Sequence, residues 1–384
     1  MIVGIDGNEA NIASRVGVNV YAFDLLWAIW QAQKKSPKNL RLIVYLKNRP
    51  LADMPPETGF FKYKVLPGAS MWILTKLTPH LWLGRPKLDV FFSPSHYAPP
   101  FIPIPRICSI MDLGYLEFSG QFKKYDYWQL KAWSAISIFV SKAVIAISNS
   151  TKRDIVRRYP FASAKTFVTP LGFDKQRFNG RLSKEDVRRI ETKYSIVGEY
   201  ILYLGTLKPS KNVEGLIAAF SRIRNKQSLA LRVKESGIRL VIAGKKGWLY
   251  ESIFKKVKEL RLEDRVIFTD YVPEADKPAL IAGAKVFVLP SFWEGFGLDA
   301  LSGMASGVPV VAANVGNLPE VVGRAGILVD PYSISSIAEG IRKVLRMSKL
   351  EYNKQRRLGI TQAAKFSWEK TAEATLKVIT NVQR

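Results

Sequence analysis

Short apolar runs, each followed by a segment of helical period, recur along the whole chain. In the first half they are Ile2–Ile5, Leu42–Tyr45, Val90–Phe92, Arg106–Ile110, Ala143–Ile147 and Thr166–Val168. In the second they are Tyr200–Leu204, Arg239–Ala243, Arg265–Phe268, Val286–Leu289, Val308–Ala312 and Gly326–Leu328. A strand that is apolar throughout has both faces buried, and strands alternating with helices form parallel sheets covered on both sides. Two such series predict an α/β protein of two doubly wound domains, and 384 residues are too many for one core. The break is expected near Thr169–Phe178, where T-P-L-G-F-D-K-Q-R-F turns through Pro and Gly; this gives domains 1–178 and 179–365. In such folds ligands lie beyond the carboxyl ends of the strands and between domains.

Several classes are excluded. The single cysteine, Cys108 in I-P-R-I-C-S-I, rules out an intramolecular disulfide framework and reads as a buried, inert thiol in a reducing compartment. Met1 runs directly into a strand without a basic leader, and the longest apolar stretch, from Ala132, is broken by Lys142 and several serines. A cytoplasmic protein is expected. The net charge of +26 is spread over both halves, with 24 Lys and Arg to 11 Asp and Glu in residues 1–178 and 34 to 21 in the rest. Such a field attracts polyanions: nucleic acid, phosphorylated metabolites or an anionic membrane.

Three strand ends lead into glycine-containing turns. In I-D-G-N-E-A-N-I-A-S-R-V-G-V-N-V-Y, Gly17 precedes an amphipathic helix, with Arg15 beside it. In Y-L-G-T-L-K-P-S-K-N-V-E-G-L, Gly205 ends a strand, Lys208 and Lys211 lie in the loop, and Asn212 is placed to cap the next helix. In S-F-W-E-G-F-G-L-D, Gly295 and Gly297 allow backbone N–H groups to converge at a helix N-terminus, where the dipole favours an anion. One glycine after a strand is most often only a tight turn; three such loops spread over both halves point to a phosphate ligand. None matches G-x-G-x-x-G or G-x-x-x-x-G-K-[ST], which counts against oxidoreductase and P-loop readings.

These motifs resemble glycosyltransferase family 4, the retaining enzymes of the GT-B fold. The resemblance covers nearly the whole chain: the I-D-G-N-E-A-N loop, F-F-S-P-S-H-Y, M-D-L-G-Y and A-I-S-N-S-T-K-R-D come in order, then Y-L-G-T-L-K-P-S-K-N, R-L-V-I-A-G-K-K-G, V-L-P-S-F-W-E-G-F-G-L, N-L-P-E-V-V-G and F-S-W-E-K-T-A. It implies two Rossmann-like domains facing a central cleft, with residues 366–384 crossing back to the first. It implies that Lys211 binds the donor diphosphate beside Gly205 and Thr206, and that Gly17 brings a helix N-terminus to it. Glu294 would contact the transferred sugar. The backbone of Gly295, Phe296 and Gly297 would hold phosphate and sugar, and Leu298 would lie near the ribose. Catalysis would rest on Glu294, Lys211 and Asp112, without metal or cofactor, and Arg15, His96 and Met111 would line the acceptor side or the cleft.

Two departures from the pattern bear on activity. Met111 stands where members commonly have a His, and Ser302 where many have a second Glu that accepts hydrogen bonds from the ribose; a neutral acceptor there weakens binding by roughly 1–2 kcal/mol. The chemistry tolerates both, because the departing diphosphate can take the acceptor's proton, leaving positioning and charge stabilisation as the protein's task. The expectation is transfer of a hexose, taken as mannose from GDP-mannose, to a glycan or lipid-linked acceptor in cell-surface polysaccharide synthesis. A sugar-nucleotide-binding protein without catalysis, or an epimerase or hydrolase of the same fold, remains the alternative.

The stretch Met71–Leu88 combines Trp72 and Trp82 with Lys76, Arg85 and Lys87, the composition of an interfacial helix. Lys34, Lys35, Lys38, Arg41, Lys123 and Lys124 add positive charge. The reading is peripheral contact with an anionic inner membrane face; a helix packed inside the domain is the plainer alternative. No nucleic-acid motif accompanies the charge.

Overall fold

The computed structural model describes residues 1–37, 39–117, 120, 124–225 and 237–382, so Lys38 and Lys123 lie outside the described residues. The chain forms two compact units, Met1–Gly172 with Ser367–Arg384, and Phe173–Phe366.

In the first unit seven parallel strands form one sheet. They are β1 (Ile2–Asp6), β2 (Arg41–Leu46), β3 (Phe61–Val65), β4 (Val90–Ser93), β5 (Arg106–Ile110), β6 (Ala143–Ala146) and β7 (Thr166–Val168), in the order β3-β2-β1-β4-β5-β6-β7. The second unit has six: β8 (Tyr200–Leu204), β9 (Arg239–Ala243), β10 (Val266–Asp270), β11 (Val286–Leu289), β12 (Val310–Ala313) and β13 (Ile327–Val329), in the order β10-β9-β8-β11-β12-β13. Both sheets are α/β doubly wound. The order reverses between β1 and β4 in one and between β8 and β11 in the other, and a ligand site in such a sheet lies at that reversal.

Central strands are buried throughout, as all-apolar runs require: β8, β11 and β12 are buried at every residue. The strand absent from the sequence reading is β3. F-K-Y-K-V alternates because an edge strand buries only one face, so it carries no continuous apolar run.

Serine caps start many of the helices. Ser148 Oγ accepts from Thr151 N at the start of α5 (Asn149–Arg158), and Ser183 from Asp186 N at α6 (Lys184–Lys193). Ser348 and Glu351 form a reciprocal capping box at α13 (Lys349–Ala363), and Ser367 caps α14 (Trp368–Asn381). Helix α14 packs on α1 (Val18–Lys35), with the Trp368 ring 6.3 Å from Tyr21.

The stretch Met71–Leu88 is not one interfacial helix. A π-helical turn, Ile73–Leu77, runs into α2 (Thr78–Leu83), which ends at Gly84. Trp72 is 1% exposed, packs with Tyr45, Leu77, Leu81 and Phe91, and donates Nε1–H to Leu66 O at 2.6 Å. It belongs to the core and corrects the reading of this residue as a membrane contact. Trp82 on the same helix is 50% exposed, and Lys76, Arg85 and Lys87 are exposed. Among the described residues no helix is long and apolar enough to cross a membrane.

Candidate functional site

The loops after β8 and β11 flank the reversal point of the second sheet, and they carry the residues singled out in the sequence. The β8 loop runs through Gly205 and Thr206 into a single 3-10 turn, Pro209–Lys211. Phe292 N donates to Ser210 O at 2.9 Å, which ties the two loops together. Asn212 adopts a left-handed conformation, and its Nδ2 donates to Pro290 O at 3.1 Å and Pro331 O at 2.7 Å. Its side-chain amide therefore fixes both loops to the ends of the sheet before α7 (Val213–Asn225) begins.

Within this frame Lys211 Nζ is ion-paired with Glu294 Oε1, and Ser291 Oγ donates to the same oxygen at 3.3 Å. The two side chains are only 16% and 13% exposed. A cation that can meet a diphosphate and a carboxylate that can accept from sugar hydroxyls thus stand together. The turn beyond them ends in Gly297, the N-cap of α10 (Leu298–Ala305), at φ 93°. A side chain there would be strained, and its Cβ would come within 2.6 Å of Leu318 Cδ2. Gly295, Phe296 and Gly297 thereby lead into a helix whose first N–H groups have no intrahelical partner and whose dipole favours an anion. The turn is held from behind by Asn317, whose N donates to Glu294 O at 3.3 Å and whose Nδ2 donates to Phe296 O at 3.4 Å.

One carboxylate of this helix was missed in the sequence. Asp299 lies three residues before Ser302, a spacing that places both on one helix face. Burial raises its carboxyl to about 6; Lys277 and Lys211 pull it down and Glu294 pushes it up. The signal was present: an acid in the first turn of a helix, one turn from the Ser where a Glu is usual. Ser302 itself is buried. Lys277 is also paired with Glu274, which holds Arg177 at 3.0 Å. Leu298 opens the helix and is partly exposed.

In the first unit, β1, β4 and β5 are neighbours, and their carboxyl ends carry Gly17, His96 and the Met111–Asp112 pair on the loops that follow. Gly17 has φ 54° as the residue before α1, and no atom lies within 4 Å of where its Cβ would be, so the helix start is open on that side. Arg15 is committed elsewhere: it makes a bidentate pair with Asp53 at 2.6 and 3.0 Å, donates Nε–H to Ala10 O at 2.8 Å and covers the Phe23 ring at 3.7 Å. Its guanidinium braces the β1 and β2 loops. Asp112 Oδ1 accepts from Gly114 N at 2.9 Å, at the start of the short helix Gly114–Glu117. Met111 O accepts from Thr151 Oγ1 at 3.1 Å. His96 is held neutral, burial lowering it to about 4, and its Nε2 is sealed from solvent. Cys108 is fully buried and its thiol is pushed up to about 11, which makes it inert.

Comparisons with known proteins match this fold. Residues 183–364 match the family model of glycosyl transferases group 1. The chain is 27% identical over 350 residues to O-antigen chain mannosyltransferase B of Escherichia coli, covering 90% of this chain and 84% of that one. It is 28% identical over 245 residues to the serotype-specific mannosyltransferase WbdA of Escherichia coli, of which it spans only 29%. Among solved structures, sucrose-phosphate synthase from Thermosynechococcus elongatus superposes with a TM-score of 0.76 at 19% identity, covering 99% and 98% of the two chains. Anabaena HepE in complex with UDP and glucose gives 0.74 at 17%, covering 99% of both. The fold is GT-B, and the chain is a glycosyltransferase.

Proposed function

We propose that this chain is a retaining mannosyltransferase of family 4 that moves mannose from GDP-mannose to a growing glycan or lipid-linked acceptor in cell-surface polysaccharide synthesis. The observation that carries the reading is the Lys211–Glu294 pair at the strand-order reversal, under the Gly-Phe-Gly turn at the N-terminus of α10. The similarity to O-antigen chain mannosyltransferase B along 90% of the chain supports mannose as the sugar. Lys211 and the amides at the start of α10 take up charge on the departing diphosphate, and Glu294 orients the sugar through its hydroxyls. The diphosphate accepts the acceptor's proton as the hydroxyl attacks from the same face. No resident metal or cofactor is required. The acceptor is met at an anionic membrane surface, with Trp82, Lys76, Arg85 and Lys87 as one exposed contact.

The test is incubation of the purified protein with GDP-mannose and lipid-linked oligosaccharide extracted from envelopes, with the anomeric configuration of the product read by NMR. An α-mannosyl product from the α-linked donor is expected. An inverted product, mannose released equally fast without acceptor, or an altered sugar would overturn the reading in favour of an inverting enzyme, a hydrolase or an epimerase.

A further inference from the structure

Helix α4 (Lys124–Val140) packs Ile138, Leu130 and Tyr127 against the core, yet is apolar on its outer face as well. Its inward serines, Ser134 and Ser137, are buried, and Ser137 Oγ donates to His96 O at 2.7 Å and accepts from Ala98 N at 2.9 Å. Its outward face carries Tyr125, Trp128, Ala132, Ile136 and Phe139, all exposed, at 76% for Tyr125, 61% for Trp128 and 72% for Phe139. Their spacing of three and four residues forms one stripe along about 21 Å of helix. Phe161, also exposed, extends the stripe, its ring 5.9 Å from Phe139. Single exposed apolar residues need no explanation, but a contiguous stripe marks an interaction surface.

Its charge identifies the partner. Lys131 Nζ lies 4.5 Å from the Trp128 ring and Lys165 Nζ 5.3 Å from the Phe161 ring. Between residues 118 and 168 the sequence has nine Lys and Arg to two Asp and Glu. Aromatic side chains flanked by lysines suit a bilayer interface, where rings enter the headgroup region and cations meet anionic lipid. A second copy of a chain with net charge +26 would be repelled.

We infer that the outward stripe of α4 is a lipid-facing surface that lays this protein on an anionic bilayer. This deepens the membrane reading above and assigns it to a helix outside the Met71–Leu88 stretch. It does not depend on glycosyl transfer, which donor binding reports separately.

The test is flotation with vesicles of phosphatidylcholine containing about one third phosphatidylglycerol, compared with phosphatidylcholine alone. Wild-type protein should bind the anionic vesicles and not the neutral ones. Trp128→Ser with Phe139→Ser should lose binding at least tenfold while keeping its thermal midpoint and its affinity for GDP-mannose. Lys131→Glu should weaken binding in proportion to the anionic lipid content. Unchanged flotation of the double variant, or loss of flotation only in Trp82→Ser with Leu83→Ser, would overturn the inference. So would a concentration-dependent dimer that the double variant abolishes while vesicle binding is retained.

Discussion

Lys211 and Glu294 are too dry for an ordinary surface ion pair, whose net worth is small. Removing one partner of a mostly buried pair leaves the other charge uncompensated, whereas removing both does not. Lys211→Ala and Glu294→Ala are therefore each expected to destabilise the fold by roughly 1–3 kcal/mol, with the double variant well short of their sum, as read by denaturant unfolding in a double-mutant cycle. Additive losses would mean that the pair is not coupled in solution. Asp299 gives a second expectation, with the sign set by its raised carboxyl of about 6 against an ordinary 3.8. Between these values the folded state binds more protons than the unfolded one, so this group's contribution falls as pH rises through that window. Asp299→Asn should be more stable than wild type by about 1–2 kcal/mol near neutral pH, with the gap closing by about pH 4. Chevron or equilibrium unfolding at the two pH values checks it.

Turns that begin helices were legible at the scale of the element. Gly297 and Lys211 were found because strand, turn and helix follow each other within a few residues, and the physics of an exposed helix start is local. Gly297→Ala should cost about 1–3 kcal/mol from its positive φ and the close approach of Leu318, and should weaken nucleotide-sugar binding more than it lowers the melting temperature predicts. A calorimetric titration against the melting curve measures both. Other elements were not legible, for reasons that are equally physical. β3 alternates because it lies at an edge, and a search for continuous apolar runs passes over it. Trp72 and Trp82 read alike in sequence, yet one fills the core beside Phe91 and the other is half-exposed; the difference is set by packing partners distant in sequence. The partner of Arg15 was not legible, because Asp53 lies thirty-eight residues on. The exposed stripe of helix α4 was not legible either, because apolar composition does not say which face turns outward.

For the molecule as a whole, period and punctuation carried the fold, since two doubly wound sheets leave a repeated signature along the chain. The charge of +26 also belongs to this scale. It attracts both an anionic donor and an anionic bilayer, and added salt should therefore weaken donor binding and vesicle binding together. The proposed glycosyl donor was legible only as a sugar diphosphate, because the backbone amides and the one lysine assigned to it would recognise phosphate without reading the base. The most direct measurement is isothermal titration of GDP-mannose into the wild-type protein and into Lys211→Ala. Saturable binding by the wild type, lost at least tenfold in a Lys211→Ala protein that remains folded, is the predicted result; equal affinity in the two proteins, or no binding by the wild type, would contradict the account.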